Sequence, residues 1–177
     1  MEALKIISGS VLAAVTYGIL QDQVTARVCV EYFTVGHPAI FGTDSPTLLA
    51  FGWGVISTSW AGLMLGVLLA ISARAGSRPK LRLNDLLASI GRLLLCIGVV
   101  SAVSGVAGYL AAQVGLIQLT EDYASSLAPE RHSLFLADGA AHLAAYASGF
   151  IGGLVLCIQT WQRRRRLSMQ GQSLPVS

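Results

Sequence analysis

An aspartate and a histidine stand four residues apart in FLADGAAHLAAY, residues 135–146, a segment otherwise made of apolar and small residues. Four residues is about one helical turn, so Asp138 and His142 share a face of a helix. An imidazole and a carboxylate at this spacing can ligate a divalent metal such as zinc when further donors join them. His132, His37 and Glu31 are the candidates for those donors. The same pair can hold or pass a proton. The plainer alternative is a buried hydrogen-bonded pair that fixes helix register. D-x-x-x-H is less specific than a full zinc signature, HExxH is absent, and the histidines do not cluster along the sequence. Ser133, His132 and Asp138 are the residue types of a hydrolase triad, but no G-x-S-x-G elbow presents a nucleophile.

The helical face carrying the pair extends back to Arg131 and forward to Gly149, so a polar stripe gives way to small residues. An aspartate at a bilayer centre costs roughly 2.5–3.5 kcal/mol on insertion scales. The pair must therefore face other helices and find partners, for which His142, Arg131 and Arg27 are available to Asp138.

The elements that position these residues are membrane helices. The chain has 177 residues, 54% hydrophobic and only 12% charged, where soluble domains carry about 25% charged residues. A membrane helix needs about 20 apolar residues, and four runs supply them: about 3–20, 47–73, 89–112 and 134–160. The predicted fold is all-α, a four-transmembrane-helix bundle with structured extracytoplasmic connections. Residues 1–162 form one membrane domain, and 163–177 are a basic tail expected to be disordered. Asp44-Ser45-Pro46 reads as a helix start, and Asn84-Asp85 as the cap of the third span. Ser125, Ser126 and Pro129 prepare the fourth span, which stops at Trp161 and the run Arg163–Arg166.

Charge orients the bundle. Arg74, Arg78, Lys80 and Arg82 lie between the second and third spans, and Arg163, Arg164, Arg165 and Arg166 follow the fourth. Asp22, Glu31, Asp44, Glu121, Asp122 and Glu130 lie in the other two connections. The positive-inside rule puts both termini in the cytoplasm and the acidic connections outside. Basic residues beside apolar helices are orienting charges, so the net charge of +3 points to no nucleic-acid partner. Residues 1–18 also fit the outline of a cleaved signal peptide. No A-x-A site precedes Gln21 and no lipobox precedes Cys29, so an uncleaved first span is expected.

Between the first two spans, Gln23, Arg27 and Glu31 are spaced for one helical face, where Arg27 and Glu31 can pair. Either the first helix continues past the bilayer or a short surface helix follows it. The three cysteines form no CxxC, and Cys96 and Cys157 are expected to be small buried apolar residues. Cys29 fits packing better than reactivity. Gly62/Gly66, Ser101/Gly105, Ser104/Gly108 and Gly149/Gly153 are small-xxx-small pairs for close helix approach, inside the bundle or in a homo-oligomer. Each half of the chain runs helix, polar segment, helix; this falls short of a repeat, and a paired-hairpin bundle is its natural arrangement.

DQVTARVCVEYFTVGHP, SPTLLAFGWG and FLADGAAHLAAYASGFIGG resemble segments of a group of small bacterial integral membrane proteins. The resemblance covers most of the chain. It implies a multi-pass protein of a bacterial plasma membrane and brings no activity or catalytic residue with it. The functional expectation is a non-enzymatic membrane component. It binds a membrane-protein partner, small ligand or ion at a polar outer face built from Asp22, Arg27, Glu31, His37, Arg131, His132, Asp138 and His142. The alternatives are a small metal-dependent enzyme and a subunit of an ion-coupled transporter, both using Asp138 and His142.

Overall fold

The computed structural model describes residues 1–172, and among them every regular element is helical. In chain order these are α1 (Glu2–Val28), α2 (Glu31–Thr34), α3 (Pro46–Arg74), α4 (Leu87–Gln113), α5 (Glu121–Ser126) and α6 (His132–Gln172), with 3-10 turns at Leu83–Asp85 and Pro129–Arg131. Helices α1, α3, α4 and the Pro129–Gln170 stretch, which holds most of α6, are long and apolar enough to cross a membrane.

Local chemistry sets most of the boundaries. Pro46 opens α3 at its first turn, where a missing amide hydrogen costs nothing. No side chain caps α3 or α4, so the expected capping role of Asp85 is not realised at α4. Asp85 instead closes the turn before it, accepting the Arg82 amide at 2.7 Å. Helix α1 runs on to Val28, so residues 21–28 continue the first helix, and α2 is a separate single turn.

The expected end of the domain at 162 is not a structural boundary. Helix α6 continues through the arginine run to Gln172, and Arg164 is fully buried. Its Nε donates to Pro79 O at 2.8 Å and its Nη1 to Ser72 O at 2.9 Å. Its Nη2 donates to Ala75 O at 2.7 Å and to Arg78 O at 3.1 Å. One guanidinium thus satisfies carbonyls at and just beyond the C-terminal end of α3, where a cation also suits the helix dipole. The rest of the tail expected to be disordered, 173–177, lies outside the described residues.

Helices pair as hairpins, α1 with α3 and α4 with α6, and the two pairs meet mainly through α3 and α6. Small residues set the close approaches. A Cβ on Gly54 would lie 2.6 Å from the amide nitrogen of Ile19, and one on Gly62 would lie 2.9 Å from Val11 Cα. In the second pair, a Cβ on Gly108 would lie 2.6 Å from Ala140 Cβ, and Ser101 Oγ donates to Ala141 O at 3.0 Å. Gly149 and Gly153 differ: they face the side chains of Ile97 and Leu65, not a neighbouring backbone. The pairs therefore stand apart at this level, which leaves room for the cavity described below.

The surface of the bundle stays apolar. Leu95, Val99, Val103, Val106 and Leu110 follow one another at helical spacing along α4 and are all exposed. Cys96, expected to be buried, is exposed on the same helix, whereas Cys29 and Cys157 are buried as expected.

Candidate functional site

Asp138 and His142 do share a face of α6, but their side chains do not pair. The His142 ring turns back so that Nδ1 lies 2.8 Å from the main-chain oxygen of Asp138. Its Nε2 reaches across the bundle to Asp22 Oδ1 on α1, at 3.1 Å. This geometry fixes the proton inventory. A carbonyl only accepts, so Nδ1 carries a proton. The contact between Nε2 and Oδ1 then needs a second proton, held either by the ring or by the carboxyl. The pair is thus a shared-proton contact with no net charge, a cheap way to hold two ionisable groups among apolar helices. Asp22 retains 4% of its accessible surface and Asp138 only 2%. Oδ2 of Asp138 is buried with no hydrogen-bond partner among the described residues, and the main chain of Cys29 approaches its carboxyl group.

Directly below the Asp22–His142 contact lies a cavity of about 410 Å³ between the helix pairs, walled by all four long helices. Its polar end is made by Asp22, His142, Gln21 and Tyr17, whose hydroxyl donates to Gln21 Oε1. Thr58 and Tyr146 also line it, but their hydroxyls donate to Gly54 O at 2.6 Å and Ser57 O at 3.3 Å. The rest of the wall is apolar apart from Ser57 and Ser10, whose Oγ donates to Ile6 O at 2.8 Å, and it reaches Leu69, Ile90 and Leu156. The lining residues with exposed faces, Trp60, Met64, Tyr146 and Phe150, all belong to α3 and α6 and place an opening on that flank. Above the pair, Tyr32 forms a roof. Its ring stacks on His142 at 4.7 Å and meets His37 and Phe135 edge-on at 5.1 and 5.4 Å.

The other expected site residues do not join this centre as one cluster. Glu31 pairs with Arg131, not Arg27: Arg131 Nη2 donates to Glu31 Oε2 at 2.7 Å and to Val28 O at 3.1 Å. This bond holds the Glu31 carboxyl below its ordinary range. Arg27 is exposed and lashes α1 to α3 through Gln23 and Thr47. His37 has Nδ1 2.8 Å from Tyr32 O and its ring between Phe33 and Trp53. His132 has Nε2 3.2 Å from Leu127 O. These contacts fold the connections over the bundle end. Among the described residues no group of three or more His, Cys, Asp and Glu comes together that could hold a metal ion.

The sequence puts Asp22 in the polar outer face without pairing it to His142, and it does not mark Tyr17 and Gln21 for the site. The signal was present in TYGILQD: positions 17 and 21, and 18 and 22, share faces once α1 is carried past residue 20. Comparison with protein-family models, curated proteins and solved structures returns no match for this chain.

Proposed function

We propose that this chain is a multi-pass protein of a bacterial inner membrane, with both termini in the cytoplasm. In this reading it binds a small amphipathic molecule drawn from the bilayer. The observation that carries the reading is the cavity's polarity: apolar along its length, with Asp22, His142, Gln21 and Tyr17 gathered at one end. The apolar surface stripe of α4 and the basic loop at the opposite end support the membrane placement. The ligand's apolar body lies along Leu65, Ile97 and Gly149. Its head exchanges hydrogen bonds with Gln21 and the Asp22–His142 pair. Because the polar end offers a carboxyl oxygen, an imidazole and the Gln21 amide side by side, the head is a neutral donor-acceptor group such as a hydroxyl, carbonyl or amide. The role in this reading is binding: Ser10 and Thr58, which line the cavity, donate their hydroxyls to the main chain of their own helices.

A photoactivatable medium-chain alkanol tests this in the purified protein. Labelling is expected at Met64, Tyr146 or Phe150 and is expected to fall several-fold in Gly149→Phe, which fills the cavity. Labelling confined to the outer face of α4, or unchanged in Gly149→Phe, would refute the proposal.

A further inference from the structure

At the opposite end of the bundle, a second groove of about 290 Å³ lies between α4 and α6. It is lined by Arg92 and Arg163 together with Ser89, Gln159, Thr160, Leu86 and Leu156, and among the described residues no carboxylate lines it. Both guanidiniums are fastened at its edge by neutral groups. Arg92 Nε donates to Ala88 O and its Nη2 to Ser89 Oγ, each at 3.3 Å, and Arg163 Nη1 donates to Asp85 O at 2.9 Å. The nearby Asp85 carboxylate is turned away, onto the Arg82 amide. Neither arginine belongs to an ion pair among the described residues. An arginine carries five N–H donors, so most of theirs remain free. Two like charges on one groove repel, and an anion placed between them reverses the sign of the interaction.

The surface beside the groove identifies the anion's source. Arg92, Leu95 and Val99 are at i, i+3 and i+7 on α4, so the exposed apolar stripe begins one turn beyond Arg92 and runs away from the groove. An apolar stripe leading directly from a cationic groove matches a phospholipid: headgroup at the arginines, acyl chain on Leu95, Val99 and Val103. We infer that this groove binds the phosphate of an anionic lipid of the leaflet on the basic side of the bundle. The inference is independent of the cavity and its ligand.

Native mass spectrometry of the full chain in neutral detergent, titrated with phosphatidylglycerol or phosphatidylcholine, tests it. Phosphatidylglycerol is expected to bind more tightly. Arg92→Gln/Arg163→Gln is expected to weaken it about thirtyfold, two arginines being worth roughly 1 kcal/mol each at a membrane surface. Arg165→Gln/Arg166→Gln alters two exposed arginines outside the groove and is expected to leave binding within about twofold of wild type. Equal loss in both pairs would mean a diffuse basic surface and would overturn the site. So would equal binding of the two lipids. Competition by inorganic phosphate at the same concentration as lipid would overturn the lipid as the occupant. Should the groove variant fail to fold, Gln159→Glu places a carboxylate in the groove at an exposed position. The same preference is then expected to collapse, and unchanged binding would reject the proposal.

Discussion

The chain buries ionisable groups near both ends of its bundle, and Arg164 and the Asp22–His142 pair are satisfied by opposite means. Near the basic end, the buried cation Arg164 donates four hydrogen bonds to neutral carbonyls. Near the acidic end, Asp22 and His142 come from different helix pairs, share a proton, and border a cavity. Arg164 has little donor capacity left and is a clasp. The Asp22–His142 pair keeps an unused carboxylate oxygen and a neighbouring Gln21 amide, which is what a binding site requires. Burial alone does not separate structural from functional charge; remaining hydrogen-bonding capacity next to open space does.

The largest effect is expected from breaking the clasp. Arg164→Ala leaves four carbonyls beneath the α3–α4 loop without their donor, and orphaned buried groups cost about 1–3 kcal/mol each. Thermal unfolding in detergent is expected to show the variant unfolded or destabilised by at least about 3 kcal/mol. Arg164→Lys keeps the charge but loses the planar fork and is expected to fall between the two. A wild-type melting curve for Arg164→Ala would show that the carbonyls find other donors.

Next in size is the pair. Asp22→Ala strands an imidazole among apolar helices, and breaking one side of a buried pair costs about 3–5 kcal/mol. The double replacement Asp22→Leu/His142→Phe removes both polar groups and is expected to melt closer to wild type than either single variant, while abolishing alkanol labelling at the polar end. If the double variant were as unstable as the sum of the singles, the two residues would be acting separately. Asp138→Asn sharpens the contrast. Its Oδ2 has no hydrogen-bond partner among the described residues, so removing the carboxylate is expected to be neutral or stabilising by about 1 kcal/mol in the same melt.

What the sequence made readable follows from what has a period or a sign. Four apolar runs and the alternation of acidic and basic connections are extended patterns, and the helices fall where those patterns put them. The glycine pairs at Gly62/Gly66 and Ser101/Gly105 were readable for the same reason, since close backbone approach admits few residue types. Pairings across the bundle were not. Asp138 and His142 are helical neighbours, but a histidine ring bound to its own i−4 carbonyl points Nε2 outward, to whatever the opposite helix offers. That partner was Asp22, 120 residues away. The length of α6 was missed because a run of four arginines reads as solvated chain, and only the carbonyls at the end of α3 explain why one of them is buried.

The smallest expected effect concerns the clasp on the acidic side, Glu31 with Arg131, which ties α2 to the turn before α6. Both side chains keep 29% of their exposure, so the pair is worth about 1 kcal/mol or less. Its pH dependence has a definite sign. Glu31 is held below its ordinary value of 4.5 by the Arg131 hydrogen bond. Its stabilisation is therefore complete above about pH 4.5 and is lost as pH falls through the lowered folded value. Glu31→Gln is expected to melt slightly below wild type at pH 7 and to converge with it in strong acid. Cys29 provides a local readout: it is fully buried, donates to Glu31 Oε2 at 3.4 Å, and its thiol is pushed up to about 11, chiefly by burial. In a Cys96→Ser background, maleimide labelling of Cys29 at pH 8 is expected to rise a few-fold in Glu31→Gln, because the thiol becomes accessible only when α2 lifts. Equal labelling rates would place the opening of that end outside the control of the ion pair and leave the stacking of Tyr32 on His142 as the contact that holds it shut.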